Sequence, residues 1–412
     1  MVLKKIKIKD NNVLIHMDKL VTSQSRVNSI DVLRGVVMVI MALDHVRDYF
    51  HYGSFFVDPT DIETTTPLIF FTRFVTHYCA AVFVFLAGTS AFLYGSNKTK
   101  SSLFKFLFTR GLWLIFLEIA VNNFIWTFDT TYSLQIFQVI WTLGFSMVCL
   151  SFLIYLPKRV ILLIGIIIIG GHNALDSIQM QGQSYQDILW YVLHQQNVLV
   201  FNPNHVVIIQ YPLIPWIGLM ALGYLFGTFY QKDYNTLLRK KWLLRLGLGS
   251  LVLFFMLRGL NVYGDLVPWS IQDTTTKTML SFFNVTKYPP SLLFLCITLG
   301  PALLFLYAFE KTKNKLTEFF LVYGRVPLYY YFLHMLVIHI LAIMAILIFG
   351  GNWQDMILTA EGFMNQNLQT YGYSLWVVYL VWIGVVFLLY PFCKKYMEYK
   401  ANNKEKWWLS YL

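Results

Sequence analysis

Charge is what this sequence has least of. Only 13% of its 412 residues are Asp, Glu, Lys or Arg, about half the share usual in a soluble domain. That shortage excludes an ordinary water-soluble globule. Cysteine is also scarce. The four residues Cys79, Cys149, Cys296 and Cys393 all lie in or at the ends of apolar runs, and no CxxC occurs. A disulfide framework or a cysteine-based zinc site is therefore not expected, and packing is the default role of each. Acidic residues are outnumbered, 21 against 32 basic, giving a net charge of +11. No repeat and no sustained low-complexity tract divides the chain, so one domain is expected. No small-residue cleavage site follows the first apolar run, so no cleavable signal is expected either.

What the sequence has in quantity is apolar length. Hydrophobic residues make up 57% of it. Runs near the length needed to cross a hydrocarbon core of about 30 Å recur throughout. They are Ile30–Phe50, Leu68–Tyr94, Phe104–Ile125, Leu134–Leu156, Val160–Gly170, Tyr211–Tyr230, Trp242–Leu260, Ser291–Phe309, Val326–Phe349 and Ser374–Phe392, the fifth being the shortest. The expected fold is all-α: a polytopic membrane protein with about ten transmembrane helices. Residues 1–27 read as a basic cytoplasmic tail, 28–393 as the transmembrane domain and 394–412 as a second cytoplasmic tail.

Orientation follows from Lys and Arg. They crowd the N-terminal tail, the even-numbered connections and the C-terminal tail, whereas His172–Gln210 and Gly350–Gly372 contain none. By the positive-inside rule both termini are cytoplasmic. The same scatter accounts for the net charge without nucleic acid, whose footprint would gather on one soluble face. The aromatics, 35 Phe, 26 Tyr and 12 Trp, read as lipid-facing belts and packing.

Polar residues inside the membrane are costly and mark function by default. In the first span Asp31, Arg34, Met38, Met41, His45 and Asp48 are spaced 3, 4, 3, 4, 3, which sets them on one helical stripe. Arg34 and His45 are about 16 Å apart along the axis. Arg34 then sits near the inner interface and His45 in the outer half of the bilayer. Asp44 adjoins His45, and His51 lies at the outer mouth. His77, about 15 Å down the second span, and His334, about 14 Å up the ninth, reach the depth of His45. Simple buried bonding to a backbone carbonyl is the competing reading for His339 and His334. Arg34 could equally be a snorkelling anchor, and the run 44–48 an interfacial ion-pair cluster.

The segments SIDVLRG…MALDH, HYCAAVFVFLAGTSAFLYG, YPLIPWIGLMALGYLFG and YGRVPLYYYFLHM resemble bacterial membrane proteins related to heparan-alpha-glucosaminide N-acetyltransferase. The resemblance runs from about Arg26 to the last span. The Arg34–His45 spacing also looks like the Arg-x10-His motif of bacterial cell-surface O-acyltransferases, which share a transmembrane acyltransferase architecture. The resemblance implies an enzyme of the bacterial plasma membrane. It would pass an acetyl group from cytoplasmic acetyl-CoA to an amine or hydroxyl of an extracytoplasmic glycan or amino sugar. Its catalytic histidine would lie near the outer end of the first span, matched by His45 with His51 as competitor. The sequence departs from the lysosomal enzyme at His77, where that enzyme has an acidic residue.

The chemistry suits the residues. A histidine serves as base or nucleophile near neutral pH, and Asp44 could orient it. His45, Asp44, His77 and His51 are thus the expected catalytic set. Arg34, Arg110, Lys241 and Arg325 are the basic groups expected at the cofactor phosphates. Asp48, His172, Asn173, Asp176 and His334 are expected to meet the acceptor, and the amide-rich outer loop with Tyr185, Trp190 and Tyr191 would suit a sugar. No metal is expected. Membrane lipids are expected partners, nucleic acid is not, and a homodimer is one admissible assembly. The rival classes are a secondary transporter and a scaffolding membrane protein.

Overall fold

The computed structural model describes residues 27–366 and 368–410, so the basic residues Lys4 to Arg26 lie outside the description. The protein is mostly helical. Helix α1 spans Asn28–Phe50, α2 Pro67–Thr76 and α3 Tyr78–Gly95. Helix α4, Lys100–Phe116, passes through a π turn at Leu117–Asn122 into α5, Asn123–Thr127. Strand β1 is Leu134–Phe137, followed by α6 (Val139–Leu153) and α7 (Lys158–Gly171). Beyond the membrane run come α8 (Tyr185–Leu193), β2 (Asn197–Asn202) and β3 (His205–Ile209). Then follow α9 (Ile214–Phe226), α10 (Thr236–Leu260), α11 (Thr275–Phe283) and α12 (Leu292–Ala308). The chain closes with α13 (Lys315–Arg325), α14 (Pro327–Ile348), α15 (Ala360–Asn365) and α16 (Leu375–Asn402).

Among the described residues, five helices are long and apolar enough to cross a membrane: Pro67–Gly95, Lys158–Leu175, Thr236–Leu260, Pro327–Ile348 and Leu375–Asn402. Val139–Leu153, Ile214–Tyr230 and Leu292–Ala308 are apolar but shorter. Helix α1 falls outside both groups because it carries charge, and the fold explains why it can. It is almost wholly buried, packed by α3, α13, α14 and α16, so its polar side chains face protein rather than lipid.

Two backbone approaches bring that packing about. A Cβ on Gly35 would lie 1.8 Å from the Phe320 carbonyl oxygen, and one on Gly324 1.7 Å from that of Asp31. Only glycine lets α1 and α13 touch there, as small residues do between membrane helices. Gly88 and Gly223 do the same for α3 and α9, where a Cβ would fall 2.2 Å from Met220 O and 2.1 Å from Phe85 O.

Three expectations of a purely helical chain need correction. The start of the fourth apolar run, Leu134–Phe137, is a strand. It pairs in parallel with β3, which pairs antiparallel with β2. A four-residue apolar run has too little length to separate strand from helix by hydropathy. The segment 172–210, expected as an external loop, is likewise built, with α8 and this sheet closing over Tyr191, Leu199, Val207 and Ile209. Finally, α16 runs unbroken past residue 393 to Asn402, so the C-terminal tail begins as a continuation of the last membrane helix.

Candidate active site

The stripe of α1 lines a hollow. A cavity of about 580 Å³ follows the helix along Val27, Ile30, Asp31, Arg34, Met38 and Met41, about 21 Å of axis. At one end stand Arg34, Arg110, Arg325 and Lys400, and at the other Tyr331, Val139 and Ile140. A second cavity of about 760 Å³ shares Tyr94, Phe106, Arg325 and Lys400 with it and adds Lys105, Lys404 and Lys406. The arrangement is an apolar, methionine-bearing channel with a strongly basic mouth. Arg34 is held in place by Nη1 donating to Asp31 Oδ1 (3.0 Å) and Gly324 O (3.2 Å), and by Nη2 donating to Ser90 Oγ (2.8 Å). Lys241 is exposed on α10 and lines neither cavity.

His45 lies one turn beyond Met41. Its ring is edge-on to Tyr331, with centroids 5.8 Å apart, and to Trp126 at 5.3 Å. Its Nδ1 lies 2.7 Å from His334 Nε2, and His334 Nδ1 lies 2.7 Å from the Tyr330 carbonyl oxygen. This chain fixes tautomers. A carbonyl only accepts, so His334 Nδ1 carries the hydrogen. In the neutral ring Nε2 is then an acceptor, and His45 Nδ1 must donate to it. His45 Nε2 is left with its lone pair, and no hydrogen bond among the described residues occupies it. The His334 bond to the carbonyl of Tyr330 is the one foreseen for a buried histidine. Its second bond, to His45, was not foreseen.

Asp44 does not fill the orienting role. Its carboxylate accepts from Arg73 Nη1 (2.5 Å) and Thr76 Oγ1 (2.8 Å), pairs with Arg47 Nη1 (2.8 Å) and has Lys287 Nζ 4.0 Å away. Successive residues on a helix point about 100° apart, so Asp44 is carried onto a different face from His45. Asp48 pairs with Arg47 at 2.6 Å. His77 sits in the break between α2 and α3, packed on Phe74 and Phe294, with a buried Nδ1 that has no hydrogen-bond partner among the described residues. It shares the depth of His45 but belongs to the surroundings of this ion-pair hub. His51 follows α1 and bonds the Tyr52 carbonyl, and burial pulls its ring below the usual histidine range. It borders a separate cavity of about 240 Å³ with Arg47, Ser54 and Thr64. In the loop before α12, burial raises the Tyr288 phenol, and the neighbouring Lys287 and Arg73 more than reverse this.

His172, Asn173 and Asp176 come together just past the C-terminal end of α7, joined by His194 from the end of α8. None of them has a contact with His45 among the described residues. His339 bonds the carbonyls of Ile125 and Met356, the plain buried role foreseen for it.

Several residues at the site gave no sequence signal. Glu118, in the π turn, accepts from Gln138 N (3.2 Å), Trp141 N (2.9 Å) and Asn122 Nδ2 (2.9 Å). It thereby caps α6, whose first residues form the cavity wall. Tyr331 and Trp126 passed as ordinary aromatics, and Lys400 as part of a tail.

The family model described as heparan-alpha-glucosaminide N-acetyltransferase, catalytic, matches residues 26–263. The matched stretch contains Arg34, His45 and Arg110, while Arg325, Tyr331 and His334 lie beyond it. No curated protein matches the chain. The match takes in more than half of the 412 residues, and the chain belongs to the heparan-alpha-glucosaminide N-acetyltransferase catalytic family.

Proposed function

We propose that the protein is a transmembrane acetyltransferase that takes acetyl-CoA from the cytoplasm and acetylates an amine or hydroxyl of an amino sugar or glycan on the far side. One observation carries this reading. A single cavity joins a mouth of Arg34, Arg110, Arg325 and Lys400 to Met41 and to Tyr331, whose ring touches that of His45. The basic rim suits the cofactor's phosphates. The apolar length suits a pantetheine arm, which would bring the thioester up to His45. Lys105, Lys404 and Lys406 around the adjoining cavity would extend the phosphate site, and Lys241 has no place in it.

In the transfer, the acceptor nitrogen or oxygen attacks the thioester carbonyl while His45 Nε2 takes its proton. His334 bonds Nδ1–H throughout and steadies the imidazolium, the part that a carboxylate plays in a serine-hydrolase triad. The tetrahedral centre then collapses, the C–S bond breaks, and the thiolate leaves with the proton that His45 returns. The Tyr331 hydroxyl and the Trp126 indole N–H, both buried beside His45, would serve as the donors to the oxyanion.

The protein would lie in the bacterial plasma membrane as one domain with about ten spans and both termini inside. The five long apolar helices, the three shorter ones and the buried α1 support that count together with the interrupted Lys100–Thr127 run. A cysteine probe at Ser184 should be reached from outside and one at Thr99 should not. The opposite labelling would invert the topology.

The activity is tested with His45→Ala. Purified wild type should transfer labelled acetyl from acetyl-CoA to a glucosamine acceptor. The variant should bind CoA as before and transfer none. A CoA-binding, monodisperse variant working at the wild-type rate would refute the assignment.

A further inference from the structure

At the outer end of α7 two buried imidazoles face each other. His172 and His194 are each 2% exposed, and His172 Nδ1 lies 3.3 Å from His194 Nε2. Asp176 Oδ1 is 3.9 Å from the same His194 nitrogen, and each of the three residues offers a ligand atom within 4.8 Å of the others.

As a hydrogen-bonded pair these rings are poorly served. The separation is long for a ring N–H bond. As neighbours on one ion they are well spaced. Two nitrogens at about 2.0–2.1 Å from a tetrahedral zinc stand about 3.3 Å apart. The carboxylate stands wider, 3.9 Å from His194 Nε2 in a set whose ligand atoms lie within 4.8 Å of one another, so Asp176 would swing toward the two nitrogens to join them. Its other oxygen is already held, Asn173 Nδ2 donating to Oδ2 at 2.8 Å, while Asn173 Oδ1 accepts from Leu292 N at 2.9 Å. That is the outer support that metal ligands characteristically have. Trp190 stacks on His194 with centroids 5.3 Å apart and fixes its plane.

We infer that His172, Asp176 and His194 form a binding site for a divalent transition metal, zinc being the best match, on the extracytoplasmic face. Two imidazoles and one carboxylate select a borderline ion over calcium or magnesium. Three protein ligands leave a fourth position for water. The ion would staple the end of α7 to the end of α8, and through Asn173 to the start of α12. Its role is thus to hold the outer cap on the membrane helices, independently of acetyl transfer.

The test is a calorimetric titration of zinc chloride into the tag-free, full-length protein in detergent, first stripped with EDTA. One equivalent should bind, and zinc but not magnesium should raise the unfolding temperature. Asp176→Asn and His194→Gln should each weaken zinc binding by about tenfold or more. Absence of stoichiometric zinc binding in the wild type would overturn the inference, and this arm requires no variant to fold. Equal affinity in folded Asp176→Asn would overturn it as well. Tetrahedral cobalt(II) absorption in wild type, lost in Asp176→Asn, would support it. None of these readouts involves acetyl transfer, so failure here would leave the enzymatic reading untouched.

Discussion

The two halves of α1 carry polar side chains of the same kinds and use them in opposite ways. In the inner half, Asp31, Arg34, Met38 and Met41 border open space. In the outer half, Asp44 gathers Arg47, Arg73, Thr76 and Lys287 around its carboxylate, and Arg47 in turn pairs with Asp48. His45 stands at the junction. The difference teaches that a buried charge does not by itself mark a ligand site. A charge fully paired within the protein organises helices, whereas a charge on a cavity wall can meet a ligand.

The comparison can be broken most forcefully at the junction. His45→Ala should lower the transfer rate by about 10²–10⁴-fold, the usual worth of a positioned base, with CoA affinity unchanged. His334→Phe, which removes the acceptor for His45 Nδ1–H, should cut the rate as well. A stopped-flow or single-turnover assay on folded protein would separate either loss from weakened binding.

The outer half should respond in stability. Asp44→Ala would strand Arg47, Arg73 and Lys287 without their shared anion, and breaking a buried pair costs about 3–5 kcal/mol. A clearly lowered unfolding temperature in detergent is the expected result. Were Asp44 instead the group that orients His45, the variant would keep its stability and lose turnover. The inner half should respond in affinity. Arg325→Gln or Lys400→Gln should cost about 1.5–3 kcal/mol of CoA binding, or one to two decades, measured by calorimetry and reduced by added salt. Lys241→Gln gives the smallest effect, a CoA affinity equal to wild type, because that residue lines neither cavity.

The stripe on α1 was legible because its 3–4 spacing encodes a face, and three of the four expected phosphate-binding residues do border the cavity. Lys400 was not legible, since hydropathy ends the last span near residue 392 while α16 continues to Asn402. The shared depth of His45, His77 and His334 followed from rise per residue. Which two of them meet depends on how α14 and α3 are rotated, and one sequence holds no measure of that. Asp44 was expected on the face next to His45 as a possible orienting group, and its partners Arg73, Thr76 and Lys287 come from other elements that one sequence does not bring together. Lys287 lies in the connection between α11 and α12, where a basic residue reads as solvated. Here it is only 8% exposed and turned toward Asp44, a tertiary contact with no local signature.

The central claim is that donor and acceptor meet at His45 from opposite sides through the cavity along α1. Sealed proteoliposomes of uniform orientation test it, with labelled acetyl-CoA on the cytoplasmic side alone and glucosamine on the other. Acetylated sugar is expected in the far compartment. None is expected from Ala87→Trp, whose indole would fill the cavity that Ala87 lines. Transfer by folded Ala87→Trp at the wild-type rate, or product formed only when donor and acceptor share one side, would contradict the claim.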